Sequence, residues 1–204
     1  MPRPPRVCLD GVPLHIVNRG NRRERVFLED ADYLGFLAAL AVAAERTSVR
    51  LLVFCLMSNH FHIVLWPLIG SEIPAYMQIL MNAHIRDLQA RHGTAGTGHI
   101  YQGRYRSSAI FSERHLLTVC RYVEANGLAA GLVDRAELWP WSSLVRKGPA
   151  DDVNLLSEWP VKRPANWLDH VNQPVGDRVW KKIKKEIRRS QPDARFLRSL
   201  VPSG

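Results

Sequence analysis

The stretch "VRLLVFCLMSNHFHIVLWP", residues 49–67, decides the fold of this chain. It contains two apolar runs that are typical of β-strands, with a turn at residues 57–59 and a proline that ends the second run. Alternate residues of a strand point to the same face of a sheet. His60 and His62 therefore lie on one face, and Phe61 lies on the other. The sequence predicts a β-hairpin that carries two neighbouring imidazoles on one face.

The elements that flank this hairpin alternate between strands and helices. The patterns predict, in chain order, a strand in "VPLHIVNRG", a helix from about Asp30 to Arg46, a helix capped by Ser71 that ends before Gly93, a strand in "GRYRSSAIF", and a helix capped by Ser112 and closed by Gly127. Together with the hairpin, the order is β-α-β-β-α-β-α, which is typical of a ferredoxin-like or split βαβ fold with an extra helix. We expect an α+β protein in which an antiparallel sheet carries helices on one face, followed by a mainly helical appendage.

The sequence changes in character beyond Trp139, where Pro and Trp become frequent. We predict a domain over residues 1–145 and a C-terminal appendage over residues 146–204. The appendage finishes in "DRVWKKIKKEIRRS", a basic amphipathic helix with Trp180, Ile183 and Ile187 on one stripe.

The chain is strongly basic, with a formal net charge of +9 and a pI near 9.9. Such a surplus favours a polyanionic partner, either nucleic acid or an acidic membrane surface. The first residues contain no signal-peptide core and no segment is long enough to span a bilayer, so we expect a cytoplasmic protein that does not enter membranes. Walker, dinucleotide-binding and nucleophile-elbow motifs are absent from the sequence, which argues against the corresponding enzyme classes.

The two histidines allow two interpretations. Imidazole is a common transition-metal ligand, so His60 and His62 offer two adjacent coordination positions. They also fit a pair of structural histidines that are hydrogen-bonded at a sheet edge, and this is the more common explanation of an isolated His-x-His. A metal site needs a third ligand close by.

The helix that begins at Glu113 supplies candidates for that ligand and for a nucleophile. Tyr122 and Asn126 are four residues apart and share a helix face. A tyrosine on this face can present its hydroxyl to a substrate, and an asparagine offers an amide oxygen as a hard ligand. From spacing alone, a packed Tyr122 ring and a helix-terminal Asn126 remain the favoured alternative.

Two basic segments point towards nucleic acid. "NRGNRRER" clusters arginines directly after the first strand, and "HIYQGRYRS" alternates arginine with tyrosine. Arginine for phosphates and aromatic rings for stacking are the components of single-strand and hairpin recognition. A solvated basic face is the simpler alternative.

Four segments in order resemble one known family. "MSNHFHIVLWP", "GHIYQGRYRS", "CRYVEANGLAAGLV" and "WPWSSL" resemble, from about Leu14 to Leu144, the single-tyrosine HUH transposases of the insertion-sequence type, and specifically the REP-associated tyrosine transposases. In that family, two histidines flank a bulky apolar residue, and a catalytic tyrosine precedes an asparagine by four positions. The chain departs from the pattern at Gly127, where a proline is usual, and at Ala129, where a basic residue is common.

The resemblance implies cleavage and rejoining of single-stranded DNA near palindromic hairpins. It implies that His60, His62 and Asn126 hold Mg²⁺ or Mn²⁺, and that Tyr122 forms a 5′-phosphotyrosine intermediate. We expect a monomer, with a dimer as the alternative. The residues expected to contact DNA are Arg22, Arg23, Arg104, Tyr105 and Arg106.

Two other functions stay open at the level of sequence. A domesticated relative would bind DNA or RNA hairpins without cleaving them, and would have no use for the four candidate site residues together. A nuclease that uses water as its nucleophile would keep the metal ligands and use Tyr122 only structurally. The basic C-terminal helix could clamp a hairpin, cover the site or simply dock onto the domain.

Overall fold

The computed structural model describes residues 8–96, 98–144 and 155–174, together with Trp180, Lys181 and Lys185. The strands are β1 (Leu14–Arg19), β2 (Val49–Met57), β3 (His60–Pro67) and β4 (Arg106–Ala109). The helices are α1 (Asp30–Glu45), α2 (Ile73–His92), α3 (Glu113–Glu124), α4 (Asn126–Ala129) and α5 (Trp167–Asn172). The strands form one antiparallel sheet in the order β2-β3-β1-β4. This is the predicted ferredoxin-like, α+β arrangement, and the fold class is confirmed.

The central hairpin forms because β2 and β3 are apolar on both faces. Phe61 and Ile63 of β3 are fully buried in the cluster that α1 and α2 cover. Val64 and Trp66 alternate with them and belong to a second cluster on the opposite face. Strands buried on both sides need helices on both sides, because apolar surface is removed from water only by a packed layer.

The helices divide between the two faces. The sequence predicted helices on one face of the sheet, and α1 and α2 pack there, but the opposite face is covered as well. The extra helix α3 packs on β2 and β3 from the other face, where α5 joins it. The sheet is therefore the middle layer of three, and α3 lies on the face that carries His60 and His62.

Two predicted helix ends differ from those in the structure. Ser71 does not cap α2, because a 3₁₀ turn over Gly70–Glu72 precedes the helix and Glu72 is its N-cap residue, without a side-chain cap. The Glu72 carboxylate instead accepts hydrogen bonds from the backbone and hydroxyl of Ser48, at 2.6 and 2.5 Å. Gly93 ends α2 with φ of 64°, as predicted.

Gly127 does not close the helix before it. The path of α3 is interrupted at Ala125, and Gly127 lies inside the short helix α4. Its role is close packing, since a Cβ atom at this position would lie 2.7 Å from Cγ of Trp139. Trp139 cannot yield easily, because its indole nitrogen donates a hydrogen bond to the Leu56 carbonyl at 2.9 Å. The left-handed position lies later, at Gly131, with φ of 67°.

Residues 155–174 pack against the sheet and α3. Leu155 joins the cluster of α1 and α2, and the Ser157 backbone donates to the Leu51 carbonyl at 2.8 Å. Trp167 and Val171 of α5 are buried beside α3. Most of the predicted basic helix lies outside the described residues, and the described Trp180, Lys181 and Lys185 are helical. The boundary near residue 145 remains a prediction.

None of the helices in the described part of the chain combines the length and the apolar character needed to cross a bilayer.

Candidate active site

The histidine pair lies on the face of the sheet that α3 covers. The rings of His60 and His62 are 5.0 Å apart between centroids and nearly perpendicular, at 81°. His62 is buried and His60 is partly exposed. The strand alternation that the sequence predicted therefore brings both imidazoles to one place.

Asn59 orients His60 from the β2–β3 turn. The side-chain oxygen of Asn59 lies 2.6 Å from Nδ1 of His60. An amide oxygen only accepts hydrogen bonds, so Nδ1 of His60 carries the proton and donates. In a neutral ring the lone pair is then on Nε2, which is the arrangement of a metal-ligating histidine whose other nitrogen is held by a neighbour.

Tyr122 faces the histidines from α3. Ser112 begins this helix by accepting a hydrogen bond from the His115 backbone at 3.2 Å, as predicted. The ring of Tyr122 meets that of His62 edge to face, with centroids 5.4 Å apart. Tyr122 is 7% exposed, and the ring of Trp180 packs on it at 5.2 Å. The helix and the hairpin, distant in sequence, thus place a phenol beside an imidazole.

Asn126 lies one helical turn beyond Tyr122, at the start of α4. Its amide nitrogen donates to the carbonyls of Tyr122 and Val123, at 2.7 and 3.2 Å. These bonds fix the side chain and occupy its donor group. The amide oxygen is the atom that would coordinate a cation.

The ligands expected from the sequence are two imidazoles and an amide oxygen. Among the described residues, His60 and His62 have no third histidine, cysteine or carboxylate that converges with them. A third ligand from this chain would therefore be an amide or a hydroxyl, and Asn126 is the candidate that the sequence supplies. Two imidazoles and an amide oxygen suit Mn²⁺ by affinity, and Mg²⁺ where it is more available.

His15 of β1 belongs to the same cluster, and sequence reasoning missed it. Its Nε2 lies 2.9 Å from Nδ1 of His62, 47 residues away in sequence, and the two rings are nearly parallel, with centroids 5.1 Å apart. His15 is only 6% exposed. The signal was present, because Leu14 and Ile16 flank His15 as an apolar pair on the opposite face. It becomes meaningful only once β1 is known to pair with β3.

Arg22 and Arg23 are exposed in a 3₁₀ turn after β1, beside the same end of the hairpin. Both have left-handed backbone angles, with φ of 51° and 65°. The turn is tied to Asn59, whose amide nitrogen donates to the Arg23 carbonyl at 3.2 Å. The backbone of Gly20 donates to the Asn59 carbonyl at 2.8 Å. The predicted cationic turn and His60 are therefore connected through one residue.

The second basic segment borders the site from β4. Arg106 pairs across the sheet with Val17, which pairs in turn with His62, so these residues form one row on the α3 face. Arg104 and Arg106 are exposed, whereas Tyr105 is half-buried against the core of α1 and α2. The two predicted arginines are therefore exposed next to the histidines. Only part of the Tyr105 ring is accessible for stacking on a base.

Arg19 is a second residue that the sequence reasoning did not single out for DNA contact. It is exposed at the end of β1 and lies directly opposite His60 in the strand register. Directly opposite residues of antiparallel strands project to the same face. Arg19 therefore adds a cationic group beside the histidines.

The metal-capable group found among the described residues lies elsewhere, at Glu29, Asp32 and His92. Asp32 is fully buried at the start of α1 and accepts hydrogen bonds from the backbone of Leu28, at 2.8 Å, and from His92, at 2.8 Å. Burial alone would raise the pKa of the Asp32 carboxyl, but these hydrogen bonds, with one from the Glu29 backbone, hold its pKa below the usual value. Its acceptors are engaged in capping α1 and joining it to α2, so we regard this group as structural.

A buried carboxylate holds the C-terminal segment to α3. Glu124 is 1% exposed and accepts hydrogen bonds from the Ser143 hydroxyl, at 2.7 Å, and the Trp167 indole, at 2.6 Å. Arg163 lies 3.9 Å from the same carboxylate and stacks over the Trp167 ring. Burial raises the pKa of Glu124, and Arg163 and the two donors act against that rise.

The chain is similar to known proteins in both sequence and fold. Residues 8–126 match the family model described as "Transposase IS200 like". The structure of a REP-associated tyrosine transposase bound to a REP hairpin matches with a TM-score of 0.59 and 17% identity, over 78% of this chain and 91% of that one. A proposed transposase from Deinococcus radiodurans R1 matches with a TM-score of 0.42 and 20% identity, over 61% of this chain and 95% of that one. No curated protein matches the chain.

The solved REP-associated transposase has the same fold, as its TM-score shows. The matched family segment extends over more than half of the chain and includes His60, His62, Tyr122 and Asn126. This chain belongs to the IS200-like transposase family.

Proposed function

We propose that the protein cleaves and rejoins single-stranded DNA beside hairpins through a covalent bond to Tyr122. The observation that carries this proposal is the contact between Tyr122 and His62, at 5.4 Å between ring centroids. It joins the two motifs that the chemistry requires, a nucleophile on a helix and a pair of imidazole ligands on a strand. The hairpin is proposed as substrate because the solved relative of the same fold is bound to one.

In this mechanism, the phenol oxygen of Tyr122 attacks the scissile phosphorus. A bond forms between that oxygen and phosphorus, the bond from phosphorus to the 3′ oxygen breaks, and the leaving oxygen is released as a 3′-hydroxyl. The phenol proton is lost to solvent, and the leaving oxygen takes one up. A second 3′-hydroxyl reverses the step and restores a phosphodiester, so no nucleotide hydrolysis is needed.

His60, His62 and Asn126 are proposed to hold a divalent cation, Mg²⁺ or Mn²⁺. When bound, such an ion neutralises charge on the phosphate and favours in-line attack. Asn59 supports this role by fixing the His60 ring with Nε2 as the basic nitrogen. The helix bonds of Asn126 fix its amide in the same way.

The exposed arginines around the site are proposed to bind the DNA backbone. Arg19 and Arg106 lie on the face of the histidines, and Arg22 and Arg23 lie on the turn tied to Asn59. Guanidinium groups bind phosphates through paired hydrogen bonds, and their number sets the salt dependence of affinity.

The test is a denaturing gel of the protein with labelled single-stranded hairpin oligonucleotides and Mg²⁺ or Mn²⁺. We expect a metal-dependent covalent protein–DNA band that is lost in Tyr122→Phe. Tyr76→Phe is the matched control, because the Tyr76 hydroxyl is buried without a hydrogen-bond partner in the α1 and α2 cluster. Cleavage without a covalent band would assign the reaction to a water-using nuclease instead.

A second function, hairpin binding without cleavage, is favoured by one observation. Tyr122 is only 7% exposed and the Trp180 ring packs on its ring, an arrangement that suits a structural tyrosine. Tight hairpin binding with neither cleavage nor a covalent band, across several hairpins and both metals, would establish this alternative.

A further inference from the structure

Either His15 or His62 could donate the hydrogen bond between them. Only one of these two arrangements leaves His62 able to bind a cation as proposed. The two nitrogens, Nε2 of His15 and Nδ1 of His62, are 2.9 Å apart, so one of them donates a proton to the other. If His15 donates, a neutral His62 has its other proton on Nε2 and cannot coordinate a cation there. If His62 donates from Nδ1, its Nε2 carries a lone pair.

We propose that His15 is a positioning residue that accepts the Nδ1 proton of His62 and holds its Nε2 ready for a divalent cation. The inference rests on the proposed function, since it gives His62 the ligand role proposed above. It makes His15 for His62 what Asn59 is for His60, a neighbour that fixes which ring nitrogen is basic.

The geometry separates this role from that of a third ligand. His15 approaches Nδ1 of His62, the nitrogen that does not coordinate in the proposed site. Among the described residues, His15, His60 and His62 do not bring their nitrogens together as a metal-binding group would require. His15 therefore acts through His62, as the partners behind metal-ligating histidines do.

Because both rings are buried, the hydrogen bond with His15 can determine which nitrogen of His62 is protonated. His15 and His62 are 6% and 5% exposed, so water does not replace His15 as the acceptor. The rings are nearly parallel, at 10°, and the in-plane hydrogen bond between them restricts rotation of the His62 ring about its χ2 angle. His15 is itself held in register, because it pairs with Val64 of β3 and Ser108 of β4.

Two variants separate the acceptor from the packing. His15→Phe keeps an aromatic ring against His62 but has no acceptor. His15→Gln places a side-chain oxygen at about the reach of the imidazole Nε2 and restores an acceptor. Changes behind a metal ligand typically weaken metal binding by about 10- to 100-fold.

The measurement is the affinity for Mn²⁺ alone, followed by electron paramagnetic resonance without DNA. Binding that disappears in His60→Ala defines the site and excludes ion bound at Glu29, Asp32 and His92. We expect His15→Phe to weaken this binding by about 10- to 100-fold and His15→Gln to recover most of it. His84→Phe is the control, because His84 is fully buried on the other face of the sheet, where its ring stacks on Phe27.

A second readout is the position of the proton in the metal-free wild type, by nitrogen NMR of the labelled histidines. A proton on Nδ1 of His62 supports the inference, and a proton on Nε2 of His62 overturns it, even if His15→Phe fails to fold. A folded His15→Phe that binds Mn²⁺ as tightly as the wild type also overturns it. Absence of Mn²⁺ binding in the wild type would instead overturn the metal assignment of the proposed function.

Discussion

At the scale of single residues, Asn59 connects the cationic turn with His60. Its oxygen accepts from His60, and its amide nitrogen donates to the Arg23 carbonyl. A turn residue of the central hairpin thus holds both a proposed metal ligand and the cationic turn. The backbone of Arg23 is fixed in a left-handed conformation that ordinary residues rarely adopt, which is the kind of local strain that surrounding contacts must support.

The residue-scale prediction concerns the proposed metal ligands, His60 and His62. We expect His60→Ala to reduce cleavage by more than about 100-fold, since it removes a ligand itself and not a neighbour of one. Hairpin affinity, measured by a gel-shift titration in the absence of metal, should stay within a few-fold of the wild type. Cleavage that survives in His60→Ala and His62→Ala alike would remove the metal assignment.

The sequence predicted part of this site and missed part of it, for physical reasons. Strand alternation placed His60 and His62 on one face, and helical spacing placed Tyr122 and Asn126 one turn apart. These are local regularities that need no tertiary information. His15 and Arg19 acquire their roles only through the register of β1 on β3, which depends on how the whole sheet assembles.

At the scale of elements, helix ends were harder to predict than helices. Ser112 caps α3 as its sequence suggests. Ser71 does not cap α2, because it lies in a 3₁₀ turn and Glu72 is the N-cap residue. Gly127 resembles a helix stop in the sequence. In the structure it is a packing site, because the Trp139 side chain lies against it. Local signals compete with contacts that only the folded chain supplies.

Gly127→Ala tests that packing. The added methyl group would lie 2.7 Å from Cγ of Trp139, so we expect a loss of about 1–3 kcal/mol in the free energy of unfolding. Gly35→Ala in α1 is the control, because its new Cβ would meet the ends of the Asp87 and Arg91 side chains, which are partly exposed and can move aside. Urea denaturation of both variants measures the difference, and equal stabilities would contradict the packing role.

Asp32 allows a prediction about acid stability. Its pKa is lower in the folded chain than the ordinary value of 3.8, so its ionised form stabilises the fold above that pH. This contribution is lost as the pH falls below about 4 and through the lowered pKa. Asp32→Asn should therefore cost about 1–3 kcal/mol near pH 7 and distinctly less near pH 3.

Urea midpoints of wild type and Asp32→Asn at the two pH values check this sign. A gap that stays the same at both values would show that hydrogen-bond geometry, and not the charge of Asp32, provides the stabilisation.

At the scale of the whole molecule, part of the net charge of +9 comes from exposed arginines grouped at one end of the sheet. The exposed arginines that border the histidines come from the end of β1, the turn after it, and the segment that leads into β4: Arg19, Arg22, Arg23, Arg104 and Arg106. The sheet order brings these segments together, since β1 lies between β3 and β4.

Replacing these arginines singly by glutamine should weaken hairpin binding and flatten its salt dependence. Each phosphate contact that is lost should reduce the slope of log affinity against log salt by about 0.7–0.9. Arg86→Gln is the control, because Arg86 is exposed on α2, on the opposite side of the sheet. An unchanged slope for a given arginine would remove it from the proposed DNA surface.

The Glu124 carboxylate also has an evolutionary consequence. Its hydrogen-bond donors are the hydroxyl of Ser143 and the indole of Trp167 in α5, so the acid is tolerable only where both segments are present. Without them, a charged group would be left in an apolar pocket between α3 and the sheet. Glu124, Ser143 and Trp167 therefore form a unit that must be inherited together. A family member that lacks the α5 segment would be expected to carry an uncharged residue in place of Glu124.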